Sequence, residues 1–245
     1  MVIQAPAKSG SMFYNYKKSF SIVLLAVCNA NYQFTLVDIG EAGRESDRGV
    51  FSNSILGYSI VNDLFEIPDP EKLDESIDFL YPYVFIGDDA FPMRSNLIKP
   101  YPRGDLVVEK LVTNYRICRA RRIIENSFGI LAARFRIFRL PILLKIETVE
   151  SVTKACVALH NYLIADKMED GYSIYCPHGF ADTRGRPGEW REVADNDTGF
   201  VNIPRLGSNN YSRTAKEVSD RFCEYFNSRA GEVPWQYDMI TVRRT

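Results

Sequence analysis

None of the five cysteines, Cys28, Cys118, Cys156, Cys176 and Cys223, is spaced from another as CxxC, and their number is odd. Disulfide scaffolds and zinc fingers need paired cysteines, so both are excluded and a reducing compartment is expected. An excess of positive charge is missing too: 30 Lys and Arg stand against 31 Asp and Glu, a net charge of -1. That excludes a polycation acting through bulk charge, and any grip on phosphates has to come from a local patch. The opening MVIQAPAKSGSMFYNYKK has no basic segment followed by an apolar run, no stretch approaches the length of a membrane span, and no internal repeat is visible. A soluble, intracellular protein with no membrane association is the expectation. What is present is core-forming material. With 46% hydrophobic and 13% aromatic residues in 245, the chain can bury a full core, and one globular domain with a short appendage is expected.

The run SFSIVLLAVCNA from Ser19 to Ala30 is apolar and β-branched, and Phe34 to Ile39 follows the turn residues Asn29 and Asn31. This predicts an antiparallel hairpin. Gly40 and Gly43 should break the sheet, and Glu45-Ser46-Asp47 supplies N-cap chemistry for a helix reaching Leu64 or Phe65. Tyr83 to Ile86 is a short apolar run bounded by turn signals, predicting a central, buried strand that ends in Gly87-Asp88-Asp89. Pro100 and Pro102 mark 96–105 as loop. A long helix then begins near Leu111, with Ile117, Ile124, Phe128, Leu131 and Phe135 as its apolar stripe and Pro141 as its end. A second starts near Thr148, with Val149, Val152, Cys156, Leu159 and Leu163 on one face. From Lys167 to Asn210 the composition turns to Gly, Asp, Pro and Arg without periodicity, which reads as a long surface excursion or a mobile segment. Ala215, Val218, Phe222, Tyr225 and Phe226 predict a last amphipathic helix, with Val233-Pro234-Trp235 pinning the terminus.

Chemistry points first to Asp88, because an acid at the very end of a hydrophobic strand is held rigidly while its carboxylate emerges at the sheet edge. Taken alone it also reads as a solvated turn. Glu125 lies in RARRIIENSFGIL, with Arg121 and Arg122 one turn earlier and Gly129 one turn later, a small residue that leaves room for a ligand. A helix-surface Arg–Glu pair is the plainer reading. Yet from Arg116 to Lys145 the basic residues are Arg116, Arg119, Arg121, Arg122, Arg134, Arg136, Arg139 and Lys145, with Glu125 as the only acid. Such a patch suits phosphates within a neutral protein. Carboxylates converging at one sheet edge hold Mg²⁺ or Mn²⁺ through hard oxygen ligands. Asp47 reads equally as an N-cap and as a further metal or supporting residue.

Four strings carry a resemblance as a set: VDIGEAGRESDRGVF, FIGDDAFPMRSNLIKPYP, NYRICRARRIIENSFGILAARFRIF and ACVALHNYL. In this order, from about Ile3 to Ile164, they resemble consecutive blocks of the DDE domain of PIF/Harbinger transposases and of the Harbinger transposase-derived nuclease. The resemblance implies an α/β, RNase H-like mixed sheet flanked by helices, and divalent metal (Mg²⁺ or Mn²⁺) held by acidic residues. It implies that Asp88 is the second catalytic acid and Glu125 the third, and that Asp47 stands at an acidic position associated with metal. His160 and Asn161, in the LHN block, read as helix packing and capping, and His178 has no support.

The resemblance further implies a first catalytic aspartate on the first strand, a few residues before VIQAP, whereas the sequence opens Met1-Val2-Ile3. The domain is therefore expected to lack the start of its first strand. The expected division is a DDE catalytic domain over 1–166, a polar loop or mobile segment over 167–210, and a C-terminal helix and tail over 211–245 packing on the domain. The implied activity is metal-dependent hydrolysis and transfer of DNA phosphodiester bonds, with Arg116, Arg119, Arg121 and Arg122 holding phosphates; a form without the first aspartate is expected to have an impaired metal site and a lowered or lost rate. The rival expectation is a non-enzymatic, transposase-derived module that binds DNA or protein. A DNA substrate implies action in the nucleus. Because Arg119 to Arg122 falls inside a helix, entry calls for a separate DNA-binding or import partner.

Overall fold

Residues 1–45, 47–102, 104–168, 171–183, 185–194, 199–200 and 211–241 are described by a computed structural model of the chain. Their fold is mixed α/β, with two small sheets and seven helices among the described residues. The chain divides into two compact units, one formed by Met1–Leu56 and Arg122–Pro204, the other by Gly57–Arg121 and Arg205–Thr245.

The first unit is built on the expected hairpin, β1 (Ile22–Cys28) and β2 (Phe34–Ala42), paired antiparallel with Leu24 opposite Ile39 and Val27 opposite Leu36. Its turn is closed by the Asn29 carboxamide, whose Oδ1 accepts from the backbone N–H of Asn31 at 2.9 Å and of Gln33 at 3.2 Å. Gly40 does not break the sheet. It sits inside β2 at φ +126°, a conformation only glycine adopts without strain, with Glu150 of a later helix against the place a Cβ would take. The opening residues lie beside β1: Val2 bridges Ser21 antiparallel, while Ile3 bridges Ile142 in parallel on its other side. The sheet of this unit thus has mixed pairing beyond its two regular strands.

Two short helices follow the hairpin, α1 (Asp47–Asn53) and α2 (Ile55–Val61), where a single helix reaching Leu64 or Phe65 is expected. The break has a physical cause. Ser54 turns its hydroxyl onto the Phe51 carbonyl at 2.7 Å, and Asp38 of β2 accepts the Ile55 N–H at 2.9 Å, starting a new helix there. Ser46 lies outside the described residues.

The long helix is α3 (Val108–Arg134), whose residues from Arg122 onward belong to the first unit. It stops before Pro141. Phe135 is extended (φ -102°, ψ 95°) and Arg136–Phe138 forms a single 3₁₀ turn that buries Phe138 in the core. Burial of the Phe138 ring, worth about 2–3 kcal/mol, outweighs one more helical turn. Next, α4 (Ile146–Ala165) buries Val149, Cys156, Val157, His160 and Ile164, while Leu159 is 51% exposed and Leu163 faces outward. Its stripe is therefore rotated from the expected one, and polar contacts fix the rotation. Asn161 acts as a strand edge for Phe34, accepting its N–H at 2.8 Å and donating to its carbonyl at 2.7 Å. His160, fully buried, binds the Tyr32 carbonyl through Nε2 at 2.8 Å and the Tyr175 hydroxyl through Nδ1 at 2.9 Å. The packing role expected of the LHN block holds.

A second core of this unit joins Ile130, Ala133 and Ile164 to Cys176, Phe180 and Trp190, the last opening α5 (Trp190–Ala194). The stretch between 171 and 194 is thus anchored on α3 and α4 by Cys176, Phe180, Ala181 and Trp190, while about half of its described residues stay exposed. Their average composition is polar, and a few large apolar side chains decide their fate.

In the second unit, β3 (Phe85–Ile86) and β4 (Leu97–Ile98) form a parallel pair. The expected buried strand at 83–86 is the outer one, with Ile86 exposed, and Leu97 and Ile98 are the buried members. β4 lies where Pro100 and Pro102 pointed to loop; both prolines come after it and leave its ladder intact. The core here gathers Tyr81, Ile98 and Ile117 with Val218 and Phe222 of α6 (Arg213–Phe226), whose N-cap Ser212 accepts from the Ala215 N–H at 3.1 Å. Trp235 and α7 (Gln236–Thr241) close the unit as expected, with Trp235 edge-on to Tyr115 and Gln236 fully buried. No described helix is long and apolar enough to cross a membrane.

Candidate functional site

The parallel pair of the second unit presents Asp88. Phe85 N–H donates to Asn96 O at 2.8 Å and Gly87 N–H to Ile98 O at 2.9 Å, so the ladder runs to the residue before the acid. At Gly87 a side chain would press Leu97 and Phe91 at 3.1 Å each, which lets the following turn fold tightly over β4. That turn is closed by Phe91 N–H donating to Asp88 O at 3.1 Å. The Asp88 carboxylate is partly buried. Its Oδ1 accepts the Asp89 N–H at 2.7 Å and its Oδ2 lies 3.1 Å from Arg121 Nη1, both side chains being shielded from much of the solvent. Asp89 itself is exposed.

Beneath the turn lies Lys99, a residue the sequence reading did not single out. It is 7% exposed and donates from Nζ to Asp89 O and Phe91 O, each at 3.0 Å. Burial pulls its pKa below the usual lysine value, and the Asp89 and Asp88 carboxylates act against that pull. An ammonium so placed holds the turn from within and adds positive charge beside Asp88. The signal was present as a lysine following the apolar pair Leu97-Ile98, but only once that pair is known to be a strand.

Glu125 lies in the first unit, on an exposed position of α3. The residues after it are engaged inward. Asn126 Oδ1 accepts from Trp190 Nε1 at 2.8 Å and from Asp182 N–H at 3.1 Å. The space beside Gly129, expected to admit a ligand, is filled by the Trp190 indole. Asp182 accepts from Arg191 Nε at 2.8 Å and from Gly188 N–H at 2.7 Å. Burial alone would raise the Asp182 pKa, but these hydrogen bonds, with the charges of Arg191 and Arg122, hold it below the usual carboxylate value.

The four arginines are placed differently from one another. Arg116 donates from Nη1 to Gly231 O and Gln236 Oε1, both at 3.1 Å, and lies over the Phe226 ring. Arg119 stacks on Trp235 at 4.3 Å. Arg121 pairs with Asp88 and Arg122 faces the field of Asp182. Asp88 and Arg121 are brought together; Glu125 and Asp47 belong to the other unit, and the Asp47 side chain lies outside what the structure describes.

Asp88 offers the hard oxygen chemistry that a divalent cation prefers. Both its oxygens are nonetheless engaged, by Arg121 and by a backbone N–H, and among the described residues neither unit gathers three or more His, Cys, Asp or Glu that could hold a metal ion.

Compared with family models, residues 1–161 match that of the DDE superfamily endonucleases. The chain belongs to this family. No curated protein and no solved structure matches it. As a DDE superfamily endonuclease domain it falls in a nuclease and transposase class that acts on DNA and generally uses divalent metal. The matched span takes in Asp47, Asp88, Lys99 and Glu125 together with all four arginines.

Proposed function

We propose that the chain is the catalytic portion of a PIF/Harbinger-type transposase or transposase-derived nuclease, with an RNase H-like fold, hydrolysing and transferring DNA phosphodiester bonds with Mg²⁺ or Mn²⁺. In this reading residues 1–166 carry the catalytic domain, 167–210 are an appended polar segment, and 211–245 pack on the domain. By the resemblance, Asp88 and Glu125 are the catalytic acids and metal ligands, Asp47 a further ligand, and Arg116, Arg119, Arg121 and Arg122 the phosphate contacts. Action is nuclear, with a separate DNA-binding or import partner.

The observation that carries this reading is the placement of Asp88 at the end of a parallel strand pair, with Arg121 on its carboxylate. A rigid strand end holding a half-buried acid among cations is how an acid is kept in place for phosphate chemistry. A bound divalent ion would supply charge neutralisation at the phosphate. Glu125→Gln keeps the size and one acceptor oxygen and removes the charge. It is expected to lower Mn²⁺-dependent nicking of supercoiled plasmid by at least about a hundredfold, since such groups contribute several kcal/mol at about 1.4 kcal/mol per tenfold. An unchanged melting temperature would establish that the fold survives. Full activity in Glu125→Gln would remove Glu125 from the site.

A second reading, a non-enzymatic binding module derived from a transposase, is favoured by the same ion pair seen from the other side. With Arg121 neutralising Asp88, the carboxylate has its counter-charge without a metal ion. Stoichiometric DNA binding with no nicking in either Mg²⁺ or Mn²⁺ would support it.

A further inference from the structure

Beside the Asp88 turn, wholly within the second unit, a cleft of about 230 Å³ opens between β4, the start of α3 and the start of α6. Its lining includes Lys99, Lys110 and Lys216 with Tyr101 and Tyr211, and among the described residues contains no Asp or Glu. In a chain whose charges cancel almost completely, three cations around a mainly apolar hollow are a local departure. The space is smaller than the roughly 300–1,000 Å³ of sites for drug-sized ligands, so it suits one flat ring system and excludes a duplex.

Tyr101 is fixed from three directions. Its N–H donates to Asn114 Oδ1 at 2.6 Å, its carbonyl accepts from Asn114 Nδ2 at 3.0 Å, and its hydroxyl donates to Asp220 Oδ1 at 2.8 Å and Ser219 O at 3.1 Å. The ring is thus a preorganised platform, with Lys110 Nζ 4.9 Å from its centroid. Tyr211 and Lys216 are exposed at the rim. Lys99 lines the cleft and also donates to the carbonyls of Asp89 and Phe91, which ties the cleft to the turn that carries Asp88. Aromatic faces interleaved with lysines are the chemistry that binds single-stranded nucleic acid, the bases stacking and the backbone meeting the cations.

We propose that this cleft takes one unstacked nucleotide of a DNA strand, its base against Tyr101 and Tyr211 and its flanking phosphates at Lys110 and Lys216. The assignment rests on the DNA-processing reading above and adds to it a place where a strand is held open next to Asp88. A base-stacking site discriminates between a strand with bases and one without, whereas a merely basic surface does not.

The test is fluorescence anisotropy in EDTA with a labelled single strand of about twelve nucleotides and a fully abasic strand of equal length, a span typical of single-strand binding sites. The expected result is about tenfold tighter binding of the base-bearing strand, a preference abolished by Tyr211→Ala and kept by Tyr211→Phe. Lys216→Gln weakens both strands alike and lowers the salt slope by about one. Equal affinity for the two strands, or a preference that survives Tyr211→Ala, overturns the proposal. So does thymidine 5′-monophosphate binding as tightly as the strand, which would make the occupant a free nucleotide. Asp88→Asn separates the two readings: the base preference persists in it whatever becomes of nicking. A wild-type protein that prefers bases but never nicks sinks the nuclease reading alone, and one that nicks without preference sinks the cleft alone.

Discussion

Lys99 is the residue on which the Asp88 turn depends most. Its ammonium is buried and its two hydrogen bonds to Asp89 O and Phe91 O have no substitute when the charge is removed. Lys99→Met fills a similar volume and removes both hydrogen bonds, so a loss of about 1–3 kcal/mol is expected. A urea titration checks it, and an unchanged midpoint would contradict the role assigned to the ammonium. His160 makes a second prediction, on pH. Burial holds its pKa below the ordinary histidine value, with the Tyr32 carbonyl acting in the opposite sense. A depressed folded pKa means that the unfolded chain binds the proton more readily, so this stability is complete above about pH 6.5 and is lost as pH falls through the lower, folded value. His160→Gln should flatten the slope of stability against pH in that window, as read from denaturation midpoints at a series of pH values. Of these two residues, His160 was legible as packing from the apolar helix around it. Lys99 was not, because only the β3–β4 pairing reveals that its side chain points inward.

The elements were readable wherever one periodicity ran unbroken. The apolar, β-branched run and the Asn29 turn give the hairpin, and the 3.6-residue pattern gives α3, α4 and α6. Reading failed where a local signal competed with packing. Pro100 and Pro102 concealed β4, Gly40 suggested a break inside β2, and the polar composition around 171–194 concealed Phe180 and Trp190. The last of these matters for the candidate site, because the Trp190 indole occupies the space beside Gly129 one turn from Glu125. Gly129→Ala must push the indole away, and overpacking of this kind costs about 1–3 kcal/mol. Limited proteolysis should then cut between 171 and 194 faster than in the wild type. Equal cutting rates would mean that Trp190 does not hold this segment on α3.

At the scale of the molecule, a nearly neutral chain gathers several cations within its second unit: Arg121 on Asp88, Lys99 under the same turn, Lys110 and Lys216 at the neighbouring cleft. The sequence conveyed the family through four ordered blocks, and the match over residues 1–161 agrees with them at the level of the DDE superfamily. It did not convey that Asp88 and Glu125 fall in different compact units, since blocks in a sequence carry no information on how the chain partitions in space. The measurement that tests the central claim most directly is nicking of supercoiled plasmid by the purified protein in Mn²⁺, beside Asp88→Asn and an EDTA control. The account predicts nicking that chelation stops and that Asp88→Asn lowers by at least about a hundredfold. Nicking at equal rates in wild type and Asp88→Asn, or none in the wild type with either Mg²⁺ or Mn²⁺, would contradict it.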